Sequence, residues 1–150
     1  RPELRSLIVA FTHGKKSKFS IDNAAGSPVD ISAYCNEVSL SRDIETAETT
    51  TFGDDAKEYI IGLTDATLSV SGMFDAAGAS TVDAVLAGVL GQEASLSFEY
   101  IPGGGSVGTS NPAYQGECYC TSYEVSGSVG DVTSFSASFQ VTGAIVRATS

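Results

Sequence analysis

"YEVSGSVGDVTSFSASFQV" spans Tyr123–Val141 and sits inside the clearest pattern of the chain. Apolar and polar residues alternate on both sides of a Gly/Ser/Asp turn, which is the period of a β-hairpin half buried in a core. The pattern predicts two long strands, Tyr114–Gly127 and Asp131–Arg147. On the first, Tyr119, Thr121, Tyr123 and Val125 share a face, with Ser122, Glu124 and Ser126 opposite. On the second, Phe135, Ala137, Phe139 and Val141 share a face, with Ser134, Ser136, Ser138 and Gln140 opposite. A two-residue turn at Gly130-Asp131 would set Val125 against Ser136 and mix the faces. A three-residue loop, Ser128-Val129-Gly130, keeps apolar opposite apolar and puts Gly130 at a left-handed position. Strands of 15 residues reach roughly 50 Å at about 3.3 Å per residue. Ordinary strands have five or six residues. A 150-residue globule cannot cover such a hairpin on both sides. Either the hairpin protrudes or neighbouring chains continue its sheet.

Upstream, further strands are expected at residues 6–12 and 18–22. A basic turn, "HGKKSK" (13–18), lies between them and a turn cluster, "NAAGSP" (23–28), follows. Residues 29–34 read as strand or loop. In 36–44, Val38, Leu40 and Ile44 oppose Ser39, Ser41 and Asp43. In 64–75, Ala66, Leu68, Val70, Gly72 and Phe74 oppose Thr67, Ser69, Ser71 and Met73. Residues 78–91 carry the one helical pattern. Ser80 and Asp83 fit a capping box, Val82, Val85, Leu86, Val89 and Leu90 form an apolar stripe, and Gly91 suits the position past the end. Residues 94–101 form a strand with Leu96, Phe98 and Tyr100 inward. "PGGGSVGTSNP" (102–112) is a loop whose glycines lack phosphate-loop spacing. The fold class is therefore mainly β, a sandwich or partial barrel with one short helix at about 80–90, in a single domain covering 1–150. The placement of residues 1–28 is open.

"IETAETTTFGDDAKEYIIG" (Ile44–Gly62) interrupts the strand patterns. Residues 45–58 hold five acids, four threonines and a Phe-Gly with little periodicity. They read as a long polar loop between strands that ought to pair.

Composition agrees with a β chain. Serine and threonine number 34 and glycine 16. Net charge is −10. Five of the eight basic residues, Arg1, Arg5, Lys15, Lys16 and Lys18, fall in the first eighteen positions. Only Arg42, Lys57 and Arg147 follow, against seventeen acids. Beyond its first segment the chain cannot neutralise phosphates and should repel DNA. No window has the roughly 18 apolar residues of a membrane span, and "RPELRSLIVAFTHG" lacks the cleavage pattern of a signal peptide. Cys35, Cys118 and Cys120 are read as free thiols: Cys118 and Cys120 share one strand face, and no other Cys or His is near them in sequence. The single histidine, His13, lies in the basic turn, so no nucleophile–base set can be assembled. Asp54 and Asp55 lie in a polar loop where carboxylates stay ionised. Enzymatic, metal-ion and cofactor roles are not expected.

The serine faces stand out, since solvent faces of sheets usually carry Lys, Glu and Arg. An ordinary sandwich exterior is the bland explanation. A small, polar, cation-free wall is also what a channel passing a polyanion needs.

"ETAETTTFGDDAKEYIIGLTDATLSVSGMFD" (45–75) resembles the signature of major tail tube proteins of long-tailed bacteriophages, in which acid-Thr-Thr-x-Phe-Gly is followed by Gly-Leu-x-Asp-Ala-Thr and a strand ending near Phe-Asp. "VDAVL", "SFEYIPGG" and "YEVSGSVGDVTSFSASFQVTGAI" resemble the family in kind and order, so the likeness covers about 29–147. The resemblance implies a structural virion protein whose hexameric rings stack into a tube conducting DNA through an acidic, non-adhesive lumen. Ile44, Glu45, Glu48, Thr51, Phe52, Asp54, Asp55, Lys57, Tyr59, Ile60 and Ile61 would then contact adjacent subunits and rings. Ser39, Ser41, Asp43, Thr67, Ser69, Ser71, Ser134, Ser136, Ser138 and Gln140 would face the lumen. Implied partners are other copies of the chain and the tail completion, baseplate and tape-measure proteins. DNA would pass without specific binding, and no membrane would be involved. Assembly would take place in the bacterial host cytoplasm, and the destination is the virion tail. Two other classes stay open: a binding module of a tail fibre or adhesin, which predicts aromatics exposed on loops, and the tube of a contractile injection or secretion system.

Overall fold

A computed structural model describes residues 13–78 and 81–150. The expected strand at 6–12 and the capping residue Ser80 lie outside the described residues. The strands are β1 (Lys18–Asp22), β2 (Pro28–Asp30), β3 (Cys35–Glu48), β4 (Tyr59–Met73), β5 (Leu96–Ile101), β6 (Ala113–Ser126) and β7 (Ser134–Ala148), and helix α1 (Val82–Val89) separates β4 from β5. The basic turn contains a short 3-10 segment at Gly14–Lys16, and the ambiguous 29–34 resolves into β2 followed by a 3-10 turn at Ser32–Tyr34.

All seven strands belong to one antiparallel sheet in the order β2-β1-β5-β6-β7-β4-β3. The sheet curls without closing. Phe19 and Ile21 at one end share a single core with Leu68 and Val70 near the other, and Val38 and Leu40 of edge strand β3 pack against it. Alternation drives this arrangement. Phe135, Ala137, Phe139 and Val141 on β7 are all buried, as are Ala66, Leu68 and Val70 on β4 and Leu96 and Phe98 on β5. Helix α1 adds Val82, Val85, Leu86 and Val89 to the core.

Two local readings at the helix ends change. Leu90 was expected on the helix stripe, but it has already left helical geometry (φ −62°, ψ 120°) and is half exposed. Gly91 follows at φ +76°. The helix N-cap is Thr81, whose hydroxyl donates to the Gly78 carbonyl at 2.8 Å instead of capping the helix.

The β6–β7 loop is wider than three residues. Pairing begins at Ser126↔Ser134 and Val125↔Phe135, leaving 127–133 as the connection. The displacement is two residues, so the faces are preserved. The Asp131 amide donates to the Ser128 carbonyl at 3.2 Å, and Gly130 takes φ +92° as expected.

A register shift between Cys120 and Ser122 splits the face predicted for β6. Below it, Cys118 and Cys120 point into the core opposite Val141 and Phe139, while Tyr119 lies opposite Gln140 on the outer face. Above it, Tyr123 and Val125 lie opposite Ala137 and Phe135 on the core side. Thr121 is the extra residue, and its hydroxyl donates to the Ser138 carbonyl at 3.1 Å.

Candidate functional site

Two features of the long strands stand out: a polar face running across four of them, and a hairpin arm beyond the core.

Cross-strand partners in an antiparallel pair project to the same side. On the side away from the core, β3, β4, β7 and β6 therefore line up residue by residue. One row reads Ser39–Ser69–Ser138–Ser122. A second reads Glu37–Ser71–Ser136–Glu124, and a third Ser41–Thr67–Gln140–Tyr119. Asp43 opposes Asp65 below these rows, and Ser134 sits between Met73 and Ser126 above them. All ten face residues named from the sequence thus share one surface. These rows contain no Lys or Arg, and Glu37, Asp43, Asp65 and Glu124 make them acidic. Gln140 is held by hydrogen bonds from its amide to Asp65 Oδ1 (2.7 Å) and the Ala66 carbonyl (3.1 Å). Ser122, Glu124 and Ser126 complete the surface. Their period-2 spacing was visible in the sequence, but the bulge hid their relation to Tyr119.

Among the described residues, both margins of this four-strand face have unpaired backbone. β3 is the sheet edge and, among those residues, pairs only with β4. β5 covers β6 from Tyr114 to Cys118 and stops there. Among the described residues, the backbone pairing on that side of β6 beyond Cys118 is confined to Cys120, which bridges Leu90 and accepts from the Gly91 amide at 3.3 Å, while Tyr123 reaches helix α1 through its side chain.

The arm is built from residues 44–62. The strands continue into it: Thr46↔Ile61, Ala47↔Ile60 and Glu48↔Tyr59 pair after an irregularity between Ile44 and Thr46. Only 49–58 is loop, narrower than the sequence suggested, because the Thr/Glu-rich stretch masks the strand periodicity. The loop is ordered by its own hydrogen bonds. The Thr49 amide donates to the Glu58 carbonyl (2.8 Å), the Glu58 amide to Thr50 Oγ1 (2.9 Å) and the Thr51 amide to Asp54 Oδ2 (2.6 Å). Lys57 approaches Glu48 at 3.9 Å, a solvent-exposed pair of small energetic weight. Ile44, Tyr59, Ile60, Ile61 and Leu63 are exposed, and Phe52 at the tip is fully exposed. Glu45, Thr51 and Asp55 are exposed in the same arm, and Asp54 is half-buried. Leu63 was not singled out from the sequence, although it continues the Tyr59–Ile61 run.

Among the described residues no cluster of His, Cys, Asp and Glu could hold a metal ion, and no helix is long and apolar enough to cross a membrane. The thiols are chemically quiet. Burial pushes Cys35 and Cys118 up to about 12, with nearby acids adding to the effect. Tyr123 is also raised, first by burial and then by the hydrogen bond it donates to Asp83 Oδ1 at 2.9 Å.

Several solved structures share this fold. A chain in the structure described as the tail of an empty GTA particle, refined with C6 symmetry, superposes with TM-score 0.75 at 20% identity, covering 92% of this chain and 99% of the other. The SPP1 tail tube gives TM-score 0.73 at 16% identity over 93% and 80%. A chain of the PVC sheath–tube complex, an extracellular contractile injection system, gives 0.67 at 10% identity over 98% and 97%. No curated protein matches the sequence. The family described as "Phage tail tube protein" matches residues 12–147. Most of the sheet, the arm and the polar four-strand face lie within that span, and the chain belongs to the phage tail tube protein family.

Proposed function

We propose that this chain polymerises into stacked hexameric rings whose lumen is lined by the polar face of β3, β4, β7 and β6, and that the tube conducts DNA without holding it. The observation that carries this reading is the face itself. It crosses four long strands, presents Ser, Thr, Gln and acids without a basic side chain, and ends at two margins whose backbone is unpaired among the described residues. Pairing β3 of one copy with the open part of β6 of the next would satisfy both margins and extend the sheet around a closed ring. Closure removes the aggregation hazard of a long exposed edge. The C6 symmetry named for one structural neighbour supports six copies per ring.

A lumen of this chemistry suits DNA. Lys and Arg bind phosphate by releasing counterions, and a wall without them gives the duplex nothing to grip. The carboxylates add repulsion, which is screened over about 10 Å at 0.1 M salt. Serine hydroxyls keep the wall wet and smooth. The arm, with its exposed apolar groups and acids, serves as the contact to adjacent copies, while its charge keeps the free subunit soluble. Tail completion, baseplate and tape-measure proteins would meet the tube at its ends and bore, and assembly would occur in the bacterial cytoplasm.

A protein-conducting tube is the second reading, favoured by the likeness to the injection-system chain. Electron microscopy of the purified chain at rising concentration tests the proposal. Tubes with a continuous β-lined bore are expected, and particles that stay monomeric under all conditions would overturn it. DNA retained in the bore of tails stalled during ejection separates the DNA conduit from the protein conduit.

A further inference from the structure

The basic turn at 13–18 has no part in the lumen or the arm. It carries Lys15, Lys16 and Lys18 and no acid, in a chain of net charge −10. It lies over a cleft of about 560 Å³ between β1 and the first residues of β3, lined by Lys15, Lys18, Phe19, Asn36, Val38 and Tyr100, with Glu37 the only acid among the described lining residues. The opposite end of β3 leads into the arm, where residues 45–58 hold five acids against Lys57 and the tip presents fully exposed Phe52. The two ends of one strand thus carry opposite charge, and each offers an apolar element: a protruding ring at one end, and a recess with the half-buried Val38 and Tyr100 in its wall at the other.

We infer that the arm of one copy docks in the basic-turn cleft of another, with Phe52 entering the recess and Asp55 and Glu58 facing Lys15 and Lys16. The occupant has to be a second copy. From Glu37 to Glu48 the strand is paired with β4 over nearly its whole length and spans about 35 Å at roughly 3.3 Å per residue. The tip cannot fold back to its own cleft. Two other recesses fit the arm less well. The one beside β2 is lined by Asp22, Glu99 and Glu117, and the one at the β6–β7 loop by Asp131, so both repel it. A contact from one end of a subunit to the other end of the next is heterologous and repeats without limit along an axis. It therefore supplies the stacking of rings, whereas the β3–β6 margins supply closure within a ring. The inference rests on the tube reading and names the receptor for its arm.

Charge exchange tests it on the full chain. Asp54 orders the loop through Thr51 and is left intact. Lys15→Glu with Lys16→Glu, and separately Asp55→Lys with Glu58→Lys, should each raise the concentration at which tubes appear at least tenfold in low salt. Combining all four substitutions should restore most of the loss, because the pairing is re-formed with its signs reversed. Circular dichroism and the melting temperature of the subunit should be unchanged in every variant. Phe52→Ser should produce the same defect, and it should not be rescued by the charge exchange. Isolated rings that no longer stack are the expected product of the defective variants. Normal tubes from either charge-reversed variant, or no recovery in the fourfold variant, would overturn the inference while leaving the tube reading intact. An unaltered chain that forms neither rings nor tubes would overturn both.

Discussion

Gly72 shows how much of this architecture hangs on a single missing side chain. A Cβ there would lie 1.9 Å from the Tyr34 carbonyl oxygen and 2.7 Å from Cys35 Cα. β3 begins at that point, so its first residues cross directly over β4. Gly72→Ala should push the start of β3 off the sheet and lower stability by about 1–3 kcal/mol. Thermal melting checks this, and an unchanged Tm would show that the 32–35 segment yields freely. Tyr123 is the second informative residue. Its hydroxyl ties β6 to Asp83 in the first turn of α1. Tyr123→Phe keeps the ring against Phe135 and removes only that bond, which should cost about 1 kcal/mol. The thiols contribute to behaviour in alkali. Their folded values lie above the ordinary value of 9, so above pH 9 the unfolded chain releases protons that the folded chain retains. Stability should be level with respect to these groups below pH 9 and fall as pH rises from 9 towards about 12. Urea midpoints measured across that window should fall less steeply in a Cys35→Ser, Cys118→Ala variant. An equal slope would place the alkaline loss elsewhere.

At the scale of elements, the arm and the helix are opposites. Helix α1 is short and owes its stability to packing. Leu86 is fully buried, and Leu86→Ala should destabilise the subunit by about 2–5 kcal/mol. The arm contributes nothing to the core, since its apolar residues are exposed. Replacing residues 49–58 with Asn-Gly, a dipeptide suited to a tight hairpin turn, should leave the subunit's melting temperature within a degree or two and abolish tubes. Tubes of normal length from that variant would remove the arm from assembly. The alternation on β4 and β7 was legible in the sequence because each apolar residue reaches the core directly opposite another. The bulge in β6 was not legible. An extra residue is invisible in a run such as Cys-Thr-Ser-Tyr, where either phase offers one apolar and one polar face.

For the whole molecule, the defining property is a sheet complete on its core side and, among the described residues, unfinished along two margins. Among those residues no strand pairs with the outer edge of β3. Hydrogen exchange should therefore show β3 and the upper part of β6 gaining protection together when tubes form, with α1 and β5 unchanged. Protection confined to the arm would mean that rings are held by the arm alone. The lumen assignment has its own test. Ser69→Lys with Ser136→Lys places cations on adjacent strands of the polar face, exposed and away from the core. Subunits should fold and assemble as before, while DNA passage through the finished tail slows as phosphates bind the wall. Unaltered infectivity would move the lumen to another surface.

Residue order alone determined the periodicities, and through them the strands, the helix and the separation of an apolar from a serine-rich face, because burial selects side chains one position at a time. It also determined the acidic balance and the exclusion of phosphate-binding chemistry past residue 18. The family likeness was legible because the 45–75 motif is local. Only the tertiary structure decided that four of those faces join into one surface, that β5 stops short and leaves β6 open, and that the basic turn lies at the end of β3 opposite the arm. Those facts depend on register and strand order. Both are set by contacts between segments distant in sequence, where a shift of a single residue reverses a face and no local pattern records which neighbour a strand will choose.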